Sequence, residues 1–267
     1  MKKYFLKTLI VSSLFLGLTS CDKTEGPTLD DSSDKISFFS ATTSLPMTGG
    51  SFLVPVGRTN VNAENSFPVT LASAGVGYAN VFKVDGPVKF NAGEGKSYVK
   101  VNYGDISKID PSSLSITAIA NNDVRVGLAF PISLNIADSL VSYGNKKKID
   151  VNASSILEFE DLGNATLNSE NGWSGAIGPV RVQKAKTANV YKIISPFKAN
   201  SIAFSVKSDG KTLTFPNQIA ANHSTYGAVS MTSVTGTIVG KTITINVGAY
   251  TVSAGSFGGG QEIITLP

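Results

Sequence analysis

Hydrophobic and polar positions alternate in short runs along most of this chain. From Ile36 onward, β-branched and aromatic residues recur in segments of a few residues, bounded by Gly, Pro, Asn or Asp. The alternation is clearest in Tyr98–Tyr103, Val234–Val239 and Thr242–Val247. Strand patterns that recur about every ten residues are typical of β-sandwiches and barrels. The sequence shows no convincing amphipathic helix, so an all-β fold is predicted.

The pattern divides into two tandem β domains. Residues 36–137 are predicted to form an immunoglobulin-like sandwich, and residues 153–267 a second β domain that is either a sandwich or a barrel. The segment 138–152 between them is mostly polar and is predicted to be a linker. In the second domain, Gly240-Lys241 joins two alternating runs and predicts a tight hairpin connection.

The N-terminus has the layout of an export signal. A positively charged segment, with Lys2, Lys3 and Lys7, precedes an apolar run, Leu9–Leu18. This run is shorter than the roughly 20 residues that span a bilayer. The sequence Leu18-Thr19-Ser20-Cys21 that follows resembles the lipobox of bacterial lipoproteins. In that family the cysteine carries diacylglycerol and the signal is cut before it. The resemblance implies a signal peptide over 1–20, lipidation of Cys21, and a polar, flexible tether over 21–35.

Cys21 is the single cysteine, so no disulfide is expected, and the alternative to lipidation is a free or buried thiol. Two or more acyl chains would hold the protein stably at a membrane. Losing the three signal lysines leaves 20 basic against 19 acidic side chains. The pI near 9.0 therefore gives no support for nucleic-acid binding. The basic run at 146–148 fits a solvated linker better than a phosphate or membrane patch.

One turn and its following strand suggest a family for the first domain. Val88–Glu94, followed by Ser97–Val101, resembles the turn and strand of Calx-β-like immunoglobulin-type domains, and Ser51–Arg58 fits their second strand. The resemblance implies a sandwich for 36–137. Calx-β domains bind calcium through clustered acidic loop residues. This chain has no Asp-x-Asp-x-Asp run, so neither a metal nor another cofactor is expected.

The second half also resembles a family. Leu162–Leu167, Val182–Lys184 and Val190–Phe197 are similar to the C-terminal domain of uncharacterised surface lipoproteins from Bacteroidota, many of which accompany polysaccharide-uptake systems. Lys192 and Phe197 replace the usual Arg and Tyr. The resemblance implies an outer-membrane lipoprotein, surface-exposed, with polysaccharide and outer-membrane transporter components as partners. Ser139, in Asp138-Ser139-Leu140, resembles a Bacteroidota O-glycosylation acceptor.

Catalytic sets are sparse. His223 is the one histidine, and no G-x-S-x-G segment offers it a nucleophile. Glu158, Glu160 and Asp161 form the densest acidic group of the second domain, and glycoside hydrolysis uses paired carboxylates. Glu158 and Glu160 would share one face of a strand, where a solvated strand edge is the favoured interpretation. Gly258–Gly260 is predicted to be a mobile loop. We therefore expect no enzymatic activity.

Binding is the remaining kind of function. Trp173 lies among Asn, Gly and Ser residues, where it either anchors the loop, the favoured interpretation, or forms an exposed platform for a sugar ring. Tyr226 and Tyr250 are further candidates for such a platform. The leading hypothesis is non-enzymatic glycan capture in support of a transporter. The alternative is a structural or adhesive surface subunit that binds protein partners, and an enzyme using the second-domain carboxylates ranks third.

Overall fold

The computed structural model describes residues 34–73, 75–142 and 144–267. The predicted signal peptide, Cys21 and all of the predicted tether except Asp34 and Lys35 lie outside the described residues. Those two residues are held by the first domain, since Arg58 pairs with Asp34 at 3.7 Å and the Thr59 N–H donates to the Lys35 carbonyl. Within the described part, no helix is long and apolar enough to cross a bilayer.

The predicted all-β fold is confirmed. The strands of the first half are β1 (Ile36–Phe38), β2 (Thr42–Pro46), β3 (Ser51–Arg58), β4 (Asn65–Phe67), β5 (Val69–Ser73), β6 (Phe82–Val84), β7 (Val88–Phe90), β8 (Lys96–Tyr103), β9 (Ser113–Ala118), β10 (Val124–Ile136) and β11 (Lys148–Ile156). In the described residues up to Ile156, helical structure is limited to one turn of α-helix, α1 (Tyr78–Val81), and two 3-10 turns, Ile106–Lys108 and Asp138–Leu140.

Two sheets make the first half a sandwich. One has the order β1-β3-β8-β6. The other has the order β2-β11-β10-β5, and β9 also pairs with β10, next to β5. The inward residues of both sheets belong to one hydrophobic cluster, centred on rings such as Phe52, Phe82 and Phe130. Edge-to-face ring pairs of this kind each add about 0.5–1.5 kcal/mol beyond the burial of their area.

The turn that resembles Calx-β domains is held by Arg58, at the end of β3. The Arg58 guanidinium donates to the carbonyls of Asn91 (2.7 Å) and Glu94 (2.8 Å) and lies over the Phe90 ring. Gly93 adopts a φ of +83°, which favours glycine at this position. The buried guanidinium thereby fixes the link from β7 to β8.

The predicted linker over 138–152 is wrong for residues 148–152. Those residues begin β11, which lies in the interior of a sheet between β10 and β2. Ile149, Val151 and Ala153 point into the core, whereas the polar residues between them face solvent. This polar face, together with the lysine run, made a half-buried strand resemble a linker.

The strands of the second half are β12 (Phe159–Asn168), β13 (Ile177–Ala185), β14 (Val190–Ile194), β15 (Ile202–Val206), β16 (Leu213–Thr214), β17 (Gln218–His223), β18 (Gly227–Thr232), β19 (Thr235–Val239), β20 (Thr242–Val247), β21 (Ala249–Val252), β22 (Gly255–Ser256) and β23 (Gly260–Thr265). β19 and β20 are joined by the predicted Gly240-Lys241 connection, where Gly240 has φ +58°. Glycine at the first central position is typical of a type II′ hairpin turn.

Eight of these strands form a sheet that nearly closes into a barrel. Their order is β16-β15-β14-β13-β12-β23-β20-β19, and a bridge between Thr212 and Thr237 brings the two ends together. A separate four-stranded sheet, β17-β18-β21-β22, packs its inner face against the inside of the eight-stranded sheet. Its residues Val229, Met231 and Tyr250 belong to the same hydrophobic cluster as Ile193, Phe204 and Ile243 of the larger sheet. This smaller sheet carries most of the candidate site.

The two halves share their packing. Ala185, Ala188, Val190 and Ala203 of the second half belong to the hydrophobic cluster of the first. Polar contacts also cross the junction, among them the ion pair between Lys192 and Asp123 at 2.9 Å. The protein therefore has two β units joined by a packed interface.

Candidate functional site

Five aromatic side chains gather at one end of the smaller sheet, and we call them the aromatic cluster: Trp173, His223, Tyr226, Tyr250 and Phe257. His223 and Tyr226 come from the hairpin of β17 and β18, and Tyr250 and Phe257 from the hairpin of β21 and β22. Trp173 comes from the loop between β12 and β13. Three separate chain segments thus meet in the cluster.

Phe257 is at the centre of the aromatic cluster. Its ring centroid lies 5.0 Å from His223, 5.5 Å from Trp173 and 5.8 Å from Tyr226. Phe257 is 45% exposed and Tyr226 is 48% exposed, whereas Trp173 and His223 are partly buried. Two large rings therefore face solvent beside a third that is half-covered.

Tyr250 forms the floor of the aromatic cluster. It is 3% exposed and its ring centroid lies 5.3 Å from that of Trp173. Its hydroxyl donates to Glu262 Oε1 at 2.6 Å. Burial, followed by this hydrogen bond and the charge of Glu262, raises the pKa of Tyr250 well above its ordinary value. Tyr250 was predicted as a ligand platform, but its burial leaves no open ring face for stacking, so it can only support Trp173.

Glu262 holds the Trp173 loop from below. Its Oε1 also accepts the backbone N–H of Trp173 at 2.8 Å, and the whole residue is only 1% exposed. Gly172 leaves the carboxylate just enough room, because a Cβ there would lie 2.3–2.6 Å from the carboxyl atoms of Glu262. The position before Trp173 therefore requires glycine for close approach.

The loop is also closed on itself through Ser169, which is fully buried. The Ser169 carbonyl accepts the N–H groups of Gly172 and Gly175, and its Oγ accepts the N–H of Ser174 at 2.9 Å. The Gln261 N–H donates to the Asn171 carbonyl and ties the loop to β23. A loop with this many internal bonds presents the indole in a fixed position, which lowers the entropic cost of binding.

His223 is oriented by its own turn. Its Nδ1 accepts the backbone N–H groups of Thr225 (3.1 Å) and Tyr226 (3.3 Å). These bonds require a lone pair on Nδ1, so in the neutral ring the proton is on Nε2. The ring of His223 also stacks on Phe257, so the residue both holds its own turn and contributes a ring to the aromatic cluster.

The structure brings together the three predicted platform residues, Trp173, Tyr226 and Tyr250. The sequence did not predict Phe257 or Glu262, although Phe257 is the ring that connects the others. The signal available was an aromatic residue in a Gly/Ser turn, Gly255–Gly259, the same signal that identified Trp173. Ser139 lies far along the chain in an exposed 3-10 turn, where its carbonyl accepts a bond from Lys35.

Two residues of the glycine run 258–260, which is predicted to be a mobile loop, lie close to other backbone segments. A Cβ on Gly259 would lie 2.4 Å from the Val247 carbonyl oxygen, and one on Gly260 would lie 2.7 Å from that of Asn171. Gly260 is also the first residue of β23. The run lets two backbone segments pass close together behind the aromatic cluster.

The acidic group of the second domain lies elsewhere, at an open groove of about 920 Å³ between the two halves. Glu158 and Glu160 are both exposed and line this groove. Glu158 pairs with Lys186 at 3.1 Å, and Asp161 accepts a two-pronged bond from Arg181. An enzyme reading predicts carboxylates that face each other across a cleft, and these three come from one short segment.

No family model matches the sequence, and no curated protein matches it. Among solved structures, one similar chain is a protein of unknown function from Bacteroides ovatus, with 9% identity, coverage of 86% of this chain and 89% of that one, and a TM-score of 0.35. Another is an auxiliary nutrient binding protein from Bacteroides thetaiotaomicron VPI-5482, with 9% identity, coverage of 85% and 89%, and a TM-score of 0.31.

A third similar chain is CBD12 from CALX1.2, with 10% identity, coverage of 84% of this chain and 83% of that one, and a TM-score of 0.29. Likenesses at this level carry no argument about family or activity. For the described residues, no group of three or more His, Cys, Asp or Glu side chains is placed to hold a metal ion.

Proposed function

We propose that this chain is a cell-envelope protein that captures glycan without catalysis, and that the aromatic cluster is its binding surface. The observation that carries the proposal is the pair of exposed rings, Phe257 and Tyr226, beside a half-buried Trp173 on a closed loop. Exposed rings in contact with one another are costly to hydrate, so such a grouping marks an interaction site.

The chemistry of the aromatic cluster suits a sugar. Pyranose rings present apolar C–H faces that can stack on aromatic side chains, while their hydroxyl groups need polar partners. Three polar atoms here have no hydrogen-bond partner among the described residues: Trp173 Nε1–H, Tyr226 Oη and His223 Nε2. Stacking surface and polar atoms are therefore available together.

The N-terminal sequence supports a location for this activity. Lipidation of Cys21 would attach the chain to the outer membrane by acyl chains, and residues 21–33 would leave the folded part free to reach its ligand. A surface lipoprotein so placed would pass polysaccharide to transporter components. Ser139, exposed on the first domain, remains available as the proposed O-glycosylation acceptor.

Calorimetric titration of residues 22–267 with a panel of soluble polysaccharides tests this proposal. We expect one glycan class to bind, and Phe257→Ala and Tyr226→Ala each to weaken it about tenfold, since a lost stacking contact is worth roughly 1–1.5 kcal/mol. Tyr98→Ala removes an exposed ring of the first domain and is the matched control, expected to bind as the unchanged chain does. Equal weakening by Tyr98→Ala, or no binding to any glycan, would refute the proposal.

One observation favours the alternative of a protein-binding surface subunit. β9 pairs with β10 along one side only, so its other edge offers unpaired backbone groups that an added strand could use. In that case, Ala118→Pro on β9, at an exposed residue whose N–H points away from β10, should block a protein partner and Phe257→Ala should not, the reverse of what glycan capture predicts.

A further inference from the structure

We propose that the aromatic cluster selects sugars that are neutral or carry an ammonium group, and disfavours uronate and sulfate sugars, because an unpaired carboxylate lies beneath it. The inference rests on the proposed function and names the ligand class of the same surface. It is carried by the placement of Glu262 and by the distribution of charge in the three segments that build the site.

Glu262 has no cationic partner. It is buried beneath Gly172 and Trp173, takes part in no ion pair among the described residues, and accepts its two hydrogen bonds from neutral donors. Its second oxygen, Oε2, is buried without any hydrogen-bond partner. We take Glu262 to be in its ionised form, whose field would extend into the aromatic cluster above because a buried charge is screened less than an exposed one.

The surrounding sequence does not compensate this charge. The segments 162–180 and 212–267 supply all five members of the aromatic cluster, and their only Lys or Arg is Lys241, whose Nζ donates to the Pro267 carbonyl. Their acidic side chains are Glu170 and Glu262. Aromatic ring faces add to the effect, because their electron-rich faces attract cations and repel anions.

The consequence for a ligand follows from Coulomb's law. A negative group within about 7–10 Å of Glu262, at an effective dielectric constant of about 20, would bind roughly tenfold or more weakly than its uncharged counterpart. A sugar ammonium group at the same place would bind more tightly by a similar factor. Uronate and sulfate polysaccharides should therefore be poor ligands even where their ring shape fits.

The electrostatic part can be measured without any glycan, because Trp173 is the single tryptophan. Fluorescence of residues 22–267 is quenched with caesium and with iodide at equal ionic strength, each normalised to free N-acetyltryptophanamide. We expect the normalised quenching constant of caesium to exceed that of iodide about threefold or more, and Glu262→Gln to remove most of that difference. Glu170→Gln, which removes an exposed carboxylate nearby, is the matched control and should change it less.

The ligand part uses two pairs of tetrasaccharides that differ in charge. These are the glucosamine tetramer and its N-acetylated form, and tetragalacturonate and its methyl ester. We expect the less negative member of each pair to bind about tenfold more tightly, and Glu262→Gln to reduce each ratio to about threefold or less. Circular dichroism and the melting temperature establish whether Glu262→Gln is folded. The affinity ratio within each tetrasaccharide pair is measured on the unchanged chain and does not depend on that variant.

The outcomes separate the two proposals. Iodide quenching equal to or above that of caesium would overturn the inference, and so would glycan binding without charge discrimination, which would leave glycan capture standing. Failure of all four tetrasaccharides and of the polysaccharide panel would overturn glycan capture, and the ligand class with it.

Discussion

At the scale of single residues, the candidate site depends on close packing between Glu262 and the Trp173 loop. Glu262 occupies the space that a side chain at position 172 would need, and its Oε1 fixes both the Trp173 backbone and the Tyr250 hydroxyl. The half-buried indole is thus supported by a buried acid, a buried phenol and a glycine. Substitutions in this support should affect Trp173 without touching a ligand.

Gly172→Ala tests this tight packing. A Cβ would approach the Glu262 carboxylate to 2.3–2.6 Å, so either the loop or the acid must move, at a cost of about 1–3 kcal/mol. We expect a lower free energy of unfolding in urea and easier acrylamide quenching of Trp173. Gly178→Ala is the matched control, since no atom lies within 4 Å of its added Cβ. Equal effects of the two changes would contradict the packing account.

Sequence alone predicts part of this site. Trp173 and Tyr226 could be identified because each is a large aromatic residue in a loop of small and polar residues, which gives it no strand position to fill. Phe257 has the same signal in its Gly/Ser turn, but its central place in the cluster, like the role of Glu262, depends on which hairpins lie side by side. That neighbourhood is fixed by the pairing of β18 with β21 and by the approach of the Trp173 loop to β23.

At the scale of secondary-structure elements, alternation was a reliable signal wherever one face is buried. It predicted β3, β8 and the hairpin of β19 and β20 almost residue by residue. β11 has the same period of two, with Ile149, Val151 and Ala153 inward, but its outward residues are polar and it follows a lysine run. Interior strands with one solvated face are easily mistaken for linkers when their polar residues dominate the composition.

Val151→Asp tests the place of β11 in the sheet. Val151 is buried between β10 and β2, and an unpaired charge there should lower the free energy of unfolding by at least about 3 kcal/mol. Asn152→Asp adds the same charge one residue later on the exposed face and should have little effect. Thermal unfolding measures the melting temperatures of both variants. If Val151→Asp melted at the same temperature as Asn152→Asp and the unchanged chain, residue 151 would behave as part of a solvated linker, which would contradict the account.

At the scale of the whole molecule, the two halves are joined by a partly buried ion pair. The Lys192 side chain is only 7% exposed, and its Nζ contacts both carboxylate oxygens of Asp123 and the face of Phe159. Asp123, in contrast, keeps access to water and the Val124 N–H. Removing the charge of Asp123 and removing that of Lys192 should therefore lower the free energy of unfolding by different amounts.

Asp123→Asn should destabilise more than Lys192→Met. Asp123→Asn leaves the buried Lys192 ammonium unpaired, and we expect it to lower the free energy of unfolding by at least about 2 kcal/mol. Breaking a fully buried pair usually costs more, but Asp123 is partly solvated. Lys192→Met leaves a carboxylate that water can reach and should cost about 1 kcal/mol. Urea unfolding measures both, and Asp85→Asn, in an exposed pair with Lys100, should leave stability nearly unchanged. The reverse order would contradict the buried role of Lys192.

The same pair makes a pH prediction. Burial tends to raise the pKa of Asp123, but the hydrogen bonds from Lys192 and the Val124 N–H outweigh burial and hold the pKa below its usual range. A carboxyl with a lowered folded pKa stabilises the protein above the unfolded pKa of about 3.9 and loses that contribution as pH falls further. The stability difference between the unchanged chain and Asp123→Asn should therefore be constant near neutrality and shrink below about pH 4. A difference that grows on acidification would contradict it.

The central claim is that the aromatic cluster binds a glycan, and the emission of Trp173 tests it most directly. Residues 22–267 would be titrated with soluble polysaccharides while the single tryptophan is observed. The account predicts that at least one neutral or amino-sugar polysaccharide shifts the emission and saturates, and that Phe257→Ala weakens this response. Emission that stays unchanged with every glycan would contradict the account, and Trp173 would then be only the anchor of its loop.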